Sequence, residues 1–257
     1  MFSSRIFIGQ TALVTGGTSG IGLAIAERLA SLGARTAIIG RDESKLEGAV
    51  ASLTARGFEV RGYKADVRDE AAVHGALKAI ESDFAPVNLL VNNAAGNFRV
   101  NPLDLTPNGW NAVVDIVLNG TWTLTQAVGR RAITLSAPLS VVNIGTSAAL
   151  TGNPDTVHSA SAKAGVLAMT KSLAAAWAPH GVRLNVLTPG LTEQTGGAGI
   201  LYGTEAEMEE HLANIPLGRL ARKEEIAEAC AFLLSDYGAY ITGSELLIDG
   251  GRRLTGH

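Results

Sequence analysis

The stretch TGGTSGIG, Thr15 to Gly22, lies between an apolar β-rich run and a helix-like one. Its spacing suits phosphate binding. Gly16 permits a sharp turn, Gly20 lets backbone approach an anion, and Gly22 lets helix pack on strand. The unpaired N–H groups at the helix start then face the negative charge. Thr18, Ser19 and Ile21 complete the loop. Glycine turns are common, so the pattern gains its weight from its place after the first strand of an alternating chain.

Other residues have the chemistry for the rest of a dinucleotide. The second apolar run ends in IIGRD, with Arg41 where an acid would bind a ribose 2′-hydroxyl. A planar cation there suits a 2′-phosphate and points to NADP(H). Two alternatives stand beside it: a solvated arginine at a helix start, or Asp42 acting as the acid for NAD. Asp66 and Val67 end the third run, near where adenine would lie. Asn93, Ala94, Ala95 and Gly96 follow the fourth, with small side chains that let backbone approach a flat ligand. Ordinary turn chemistry is the alternative for both.

The elements that must position these residues alternate along the chain. TALVTG, RTAIIG, EVRGYKAD, VNLLVNNA, SVVNIG, VRLNVLTPG and GSELLID read as strands. Helical stretches separate them, among them Gly20 to Leu32, Glu43 to Arg56 and AAVHGALKAIESDF. Such alternation predicts an α/β fold with a parallel sheet and helices on both faces. No linker or internal repeat divides residues 1–257, which read as one domain. The long piece from Leu191 to about Asn214 reads as irregular, and is expected to be a mobile cover over a ligand.

Composition narrows the class. Of 257 residues, 46% are hydrophobic and 18% charged, which permits a large core and argues against disorder. A net charge of −3 with interspersed signs gives no basic face for nucleic acid. The single cysteine, Cys230, excludes an internal disulfide and fits a reducing compartment. The apolar part of MFSSRIFIGQ is too short for a signal-peptide core, and no stretch approaches the roughly 20 apolar residues that span a bilayer. A soluble, cytoplasmic protein is expected. The histidines at 74, 158, 180, 211 and 257 lack metal-ligand spacing, so no metal is expected, and His158 reads as a structural helix-start residue.

With TGGTSGIG, DV, NNAAG, Lys163 among small residues, Pro189-Gly190 and GSELLIDGG in hand, the chain resembles the short-chain dehydrogenase/reductase family over essentially its whole length. The resemblance implies a Rossmann-type, doubly wound parallel sheet and a nicotinamide cofactor, whose site extends to Lys163 and to Pro189, Gly190, Leu191 and Thr192. It also implies a homodimer or homotetramer, with the apolar helices after Trp110 and Ala162 pairing across an interface. Most members use a Ser, a Tyr and a Lys, often with an Asn. Here Lys163 matches the lysine and Thr146 stands at the serine position. Ser159 stands at the tyrosine position, and Val117 at the usual asparagine position with Asn119 two residues on. A serine hydroxyl is too weak an acid and too short to replace a phenol.

NNAAGNF, LTPNGWNAVVDIVLNGTW and SASAKAGVLAMTKSLAAAW are similar to the 2,4-dienoyl-CoA reductases, and VHSASAKAGV and IDGGRRL to the peroxisomal trans-2-enoyl-CoA reductases. This narrower resemblance implies NADPH-dependent reduction of a C=C bond conjugated to a thioester, with an acyl-CoA as substrate. Such chemistry needs an oxyanion stabilised by fixed donors, for which Asn119, Ser159, Thr146 and the Lys163 ammonium are candidates. A water held by Asp115 is the candidate proton source. The upstream tyrosine of the mitochondrial type is matched by Ala148, and Tyr202 in the covering segment is a remote substitute. Arg68 matches a CoA-contacting position and Phe98 an acyl-contacting one, Ser159 also facing substrate. A surface ion pair and simple packing are the respective alternatives. A carbonyl reductase with an unconventional acid, and a nucleotide-binding relative without catalysis, are the rival readings.

Overall fold

The computed structural model describes residues 5–193 and 204–255. Seven strands, β1 (Thr11–Thr15), β2 (Arg35–Gly40), β3 (Val60–Lys64), β4 (Leu89–Asn92), β5 (Leu139–Ile144), β6 (Val182–Pro189) and β7 (Glu245–Ile248), form one sheet. Their order is β3-β2-β1-β4-β5-β6-β7, and every pairing is parallel. Each of β1, β4 and β5 is buried along its whole length. That is why they read as unbroken apolar runs instead of alternating ones: helices cover both faces. The strand order reverses between β1 and β4, and an α/β sheet opens a crevice at such a point.

The helices are α1 (Gly20–Ser31), α2 (Glu43–Thr54), α3 (Glu70–Asp83), α4 (Pro107–Val114), α5 (Gly120–Thr134), α6 (Ala148–Thr151), α7 (Val157–Trp177), α8 (Glu205–Ala213) and α9 (Lys223–Leu234). On one face, Ile25 and Leu29 of α1 meet Ile226, Cys230 and Leu234 of α9, and Cys230 is fully buried among them. On the other, Val73 and Ile80 of α3 pack with Leu124 and Val128 of α5 and Ala174 of α7. A third, smaller cluster of Val113, Val117, Ala162 and Val166 joins the start of α7 to α4. No helix among the described residues is long and apolar enough to cross a membrane.

Two local features depart from the expected pattern. A π-helical turn, Asp115–Asn119, links α4 to α5 and rotates the side chains that follow. The segment 191–214, expected to be irregular, contains α8. Thr204 and Glu207 form a capping box there, with Glu207 N donating to Thr204 Oγ1 at 3.3 Å and Thr204 N to Glu207 Oε2 at 2.6 Å. These two bonds satisfy amide groups that a helix start leaves unpaired. Residues 194–203, including Tyr202, lie outside the described residues.

A buried polar chain fixes α7 against the sheet. Asn92 Nδ2 donates to Thr125 Oγ1 at 2.9 Å and to Asn143 Oδ1 at 2.8 Å. Asn143 Nδ2 then donates to Thr170 Oγ1 at 2.8 Å, and Thr170 returns its proton to the Val166 carbonyl. Asn143 and Thr170 are wholly buried, so removing one link strands its neighbours in a medium without water. Asn143→Ala is expected to lower unfolding free energy by about 2–4 kcal/mol in urea titrations, and Thr170→Val by less.

Candidate cofactor and active site

The crevice at the β1/β4 divide is a cleft of about 800 Å³. Gly16, Thr18, Ser19, Gly20, Ile21 and Gly22 line one side. Arg41, Asp66, Val67, Asn93, Ala94 and Ala95, all expected from the sequence, line the rest. Gly16 and Gly20 adopt φ of +63° and +55°, a backbone that favours glycine. A Cβ on Gly22 would lie 2.4 Å from both Gly16 O and Asn93 Nδ2, so only glycine lets helix and loop close up here.

The same closeness assigns Asn93 a different part from the expected one. Its amide donates to Thr15 O at 3.0 Å and Gly16 O at 3.2 Å. In return the Thr15 hydroxyl accepts Asn93 N at 3.0 Å and Ala94 N at 2.9 Å. The Asn93 side chain is thus spent on holding the two strand ends in register. The small flanking residues Ala94 and Ala95 are what the cleft presents. Gly96 is not part of the lining; a side chain there would run into Ile116, which is.

At the far end of the cleft, Asp42 caps α2, its Oδ1 accepting Lys45 N at 3.1 Å. The Lys45 ammonium lies 3.8 Å from the Asp42 carboxylate, and Arg41, Asp42 and Lys45 together line this end of the cleft. Lys45 went unnoticed in the sequence, although a lysine in a helix's first turn beside a nucleotide strand was its signal. Asp66 sits between two arginines, bonded to Arg68 at 2.6 Å and lying 3.9 Å from Arg41. The hydrogen-bonded Arg68 guanidinium holds its carboxyl below the usual range. The Arg41–Arg68 rim therefore carries less net positive charge than two free arginines would.

Lys163 and Ser159 stand one turn apart on α7, and both are buried. Lys163 Nζ donates to Ile144 O at 2.5 Å, at the carboxyl end of β5. Burial pulls its pKa down to about 8. Thr146 lies two residues past the end of β5, and no hydrogen bond engages its hydroxyl or that of Ser159 among the described residues. Ala148 lines a separate cavity of about 150 Å³ with Gly190, Asp249 and Arg252. The loop after β6 is fixed by Gly190 N to Ile248 O at 2.7 Å and Thr192 Oγ1 to Gly190 O at 3.1 Å. Ala221 N bonds Leu191 O, closing the segment that starts at Pro189.

Asn119 Nδ2 donates to Asp115 Oδ1 at 2.8 Å across the π-turn, and the Asp115 charge acts on Arg68. Val117 and Leu118 are the residues of that turn that face α7, Val117 beside Ala162 and Leu118 against Gly165. Just past the turn, Gly120 closes on Val67, where a Cβ would lie 2.8 Å from a Val67 methyl. Arg68 itself is half-exposed and paired. Phe98 is half-buried over the third cluster, on the loop leaving β4. Among the described residues no group of three or more His, Cys, Asp or Glu is placed to hold a metal ion.

A parallel sheet with a glycine loop at its switch point, and a buried lysine at the end of β5, is an arrangement able to hold a dinucleotide. The sequence pattern of the enoyl-(acyl carrier protein) reductase family matches residues 16–253. A Bacillus subtilis protein named "Probable 2,4-dienoyl-CoA reductase" is 40% identical over 246 residues, covering 95% of this chain and 97% of the relative. The 3-oxoacyl-(acyl-carrier-protein) reductase of Escherichia coli is 38% identical over 95% of this chain and 98% of its own. A short chain dehydrogenase structure from Bacillus anthracis superposes with a TM-score of 0.88 at 38% identity, covering 95% and 97% of the two chains. The chain belongs to the short-chain dehydrogenase/reductase family.

The depressed Lys163 pKa has a measurable consequence. Between about pH 8 and the ordinary 10.5, the unfolded chain holds a proton on this lysine that the folded one has released. Stability attributable to Lys163 therefore rises with pH across that window, and the cost of burying its charge is full below it. Relative to Lys163→Met, the wild type is expected to gain up to about 3 kcal/mol between pH 7 and pH 10.5 in denaturant unfolding.

Proposed function

We propose that this enzyme reduces the C=C bond of 2-enoyl or 2,4-dienoyl thioesters, with an acyl-CoA as substrate and NADPH as reductant. The reading is carried by a lysine without its phenol. Lys163 is buried beside the uncommitted Ser159 and Thr146 hydroxyls, while Ser159 and Ala148 occupy both positions where a relative would keep a tyrosine. A carbonyl reduction needs an acid at oxygen. A conjugated C=C reduction needs donors that stabilise an enolate and leaves protonation to carbon.

NADPH, when bound, supplies a hydride to the β-carbon of an enoyl thioester or the δ-carbon of a dienoyl one. The displaced π electrons move to the thioester oxygen. Ser159 and Thr146 donate hydrogen bonds to that oxygen, and the Lys163 ammonium adds positive charge while holding the nicotinamide ribose. A water proton then closes the C–H bond, so one NADPH and one proton are consumed per double bond. Arg41 and Lys45, which line the cleft, take the 2′-phosphate. Arg68, bonded to Asp66, adds a cation toward the CoA phosphates. The exposed Trp122 on α5 and Trp110 on α4 support assembly as a homodimer or homotetramer through these helices. A soluble, cytoplasmic setting accords with the single thiol.

The likeness to the 3-oxoacyl reductase favours one alternative, reduction of a ketone with another acid in place of the phenol. Purified protein with NADPH and crotonyl-CoA, a 2,4-hexadienoyl-CoA or acetoacetyl-CoA separates them by cofactor absorbance. Oxidation of NADPH with the first or second is expected, and turnover of acetoacetyl-CoA alone would overturn the reading. Lys163→Ala is expected to abolish turnover. Arg41→Ala should weaken NADPH binding by about 10–100-fold while leaving NADH binding unchanged, measured by cofactor fluorescence titration.

A further inference from the structure

His158 opens α7, next to Ser159, and its side chain has no exposed surface. Both ring nitrogens lack a hydrogen-bond partner. A neutral imidazole carries one N–H and one lone pair, and leaving both unmet away from water costs about 1–3 kcal/mol each. An apolar side chain of similar size would avoid that cost, so the ring's placement calls for an explanation. Its neighbour supplies one. The rings of His158 and Phe98 lie with centroids 4.4 Å apart and planes at 38°.

Phe98 is held from the other side by α4. A Cβ on Gly109 would lie 3.1 Å from Phe98 Cζ, so the absence of a side chain there gives the ring its room. Phe98 is thus gripped between α4 and the first turn of α7, on the loop that runs on from the cofactor-lining Ala94 and Ala95. It remains partly open to solvent at the carboxyl end of the sheet, where ligands of such folds bind.

We propose that His158 is a positioning residue for substrate: its buried ring holds Phe98 as the apolar wall against which the acyl chain lies, and it does so only while uncharged. The proposal rests on the thioester reading for its substrate. Charging the ring would place a cation with two unpartnered N–H groups beside the Phe98 ring at a position with no exposed surface. The charged groups on surrounding elements do not offset this. Arg99 on the Phe98 loop is bound to Asp155 at 2.6 Å and lies 3.5 Å from Glu207 of α8. His211 of α8 contacts Arg252, Asp115 beyond α4 pairs with Asn119, α4 itself has no titratable side chain, and Lys163 on the same helix bonds Ile144. Burial alone accounts for the lowering of the His158 pKa from 6.5. The wall is therefore complete above the ordinary histidine range and is lost as pH falls through the lower, folded value.

Two measurements test this. The first follows kcat and KM for 2,4-hexadienoyl-CoA from pH 5 to 8 in wild type, His158→Phe and His158→Ala. Wild-type KM is expected to rise on acidification with little change in kcat. His158→Phe keeps an uncharged ring and should keep a low KM without the acid limb, whereas His158→Ala should raise KM about tenfold at every pH. An acid limb in His158→Phe equal to that of wild type would overturn the proposal. The second follows the His158 ring protons by NMR in the whole protein loaded with NADP. Titration below 6.5, restored toward it in Phe98→Ala, is expected, as is a shift on adding hexanoyl-CoA that Phe98→Ala abolishes. Normal titration in wild type, or no response to hexanoyl-CoA, would overturn it. Absence of turnover with every thioester would instead sink the substrate reading, and the NMR arms would still decide the part of His158.

Discussion

The hydroxyl of Thr15 accepts two backbone amides from the loop leaving β4, and the Asn93 amide answers with bonds to the carbonyls of Thr15 and Gly16. This four-bond clamp stands where the sheet reverses its winding, between β1 and β4. Parallel strands there part company in opposite directions, and the opening would be free to widen without a cross-tie. Gly16 and Gly22 fit around the clamp, since any side chain on Gly22 would collide with the Asn93 amide. The glycine loop and both walls of the cleft take their spacing from it.

A second constraint sets the catalytic side. The polar chain from Asn92 through Asn143 to Thr170 runs through the middle of the sheet into α7. Two and three turns before Thr170, the same helix presents Lys163 and Ser159, Lys163 bonding the end of β5. The helix face and the strand end are thereby locked together by groups that cannot trade partners for water. Lys163 can then rest on a backbone carbonyl instead of a carboxylate, and its lowered pKa follows from burial without an opposing charge.

Much of this was legible because it is local. Strand runs such as TALVT and LSVVNI lack polar alternation because both faces are covered, and the glycine spacing of the first turn acts within eight residues. What stayed hidden depends on geometry that composition does not encode. The π-turn that pairs Asn119 with Asp115 between two helices has no local signature in the residues that form it. Asp42 read as a possible ribose acid, yet it caps α2, a role that its place before Glu43 already signalled. The Thr204–Glu207 capping box was likewise visible as Thr-x-x-Glu, but glycine and glutamate richness around it suggested an irregular segment. Asn93 could not be apportioned between cofactor and scaffold without the neighbouring strand.

Cys230 faces inward at the α1–α9 seam with no exposed surface, and burial pushes its thiol pKa well up. Neither access nor thiolate is available while the two helices are seated. A thiol reagent therefore modifies this protein only through excursions that part α9 from the sheet, and no second cysteine competes for it. The lone sulfur makes the chain its own chronometer of opening, reading the frequency with which that layer lifts under conditions where the protein is otherwise native.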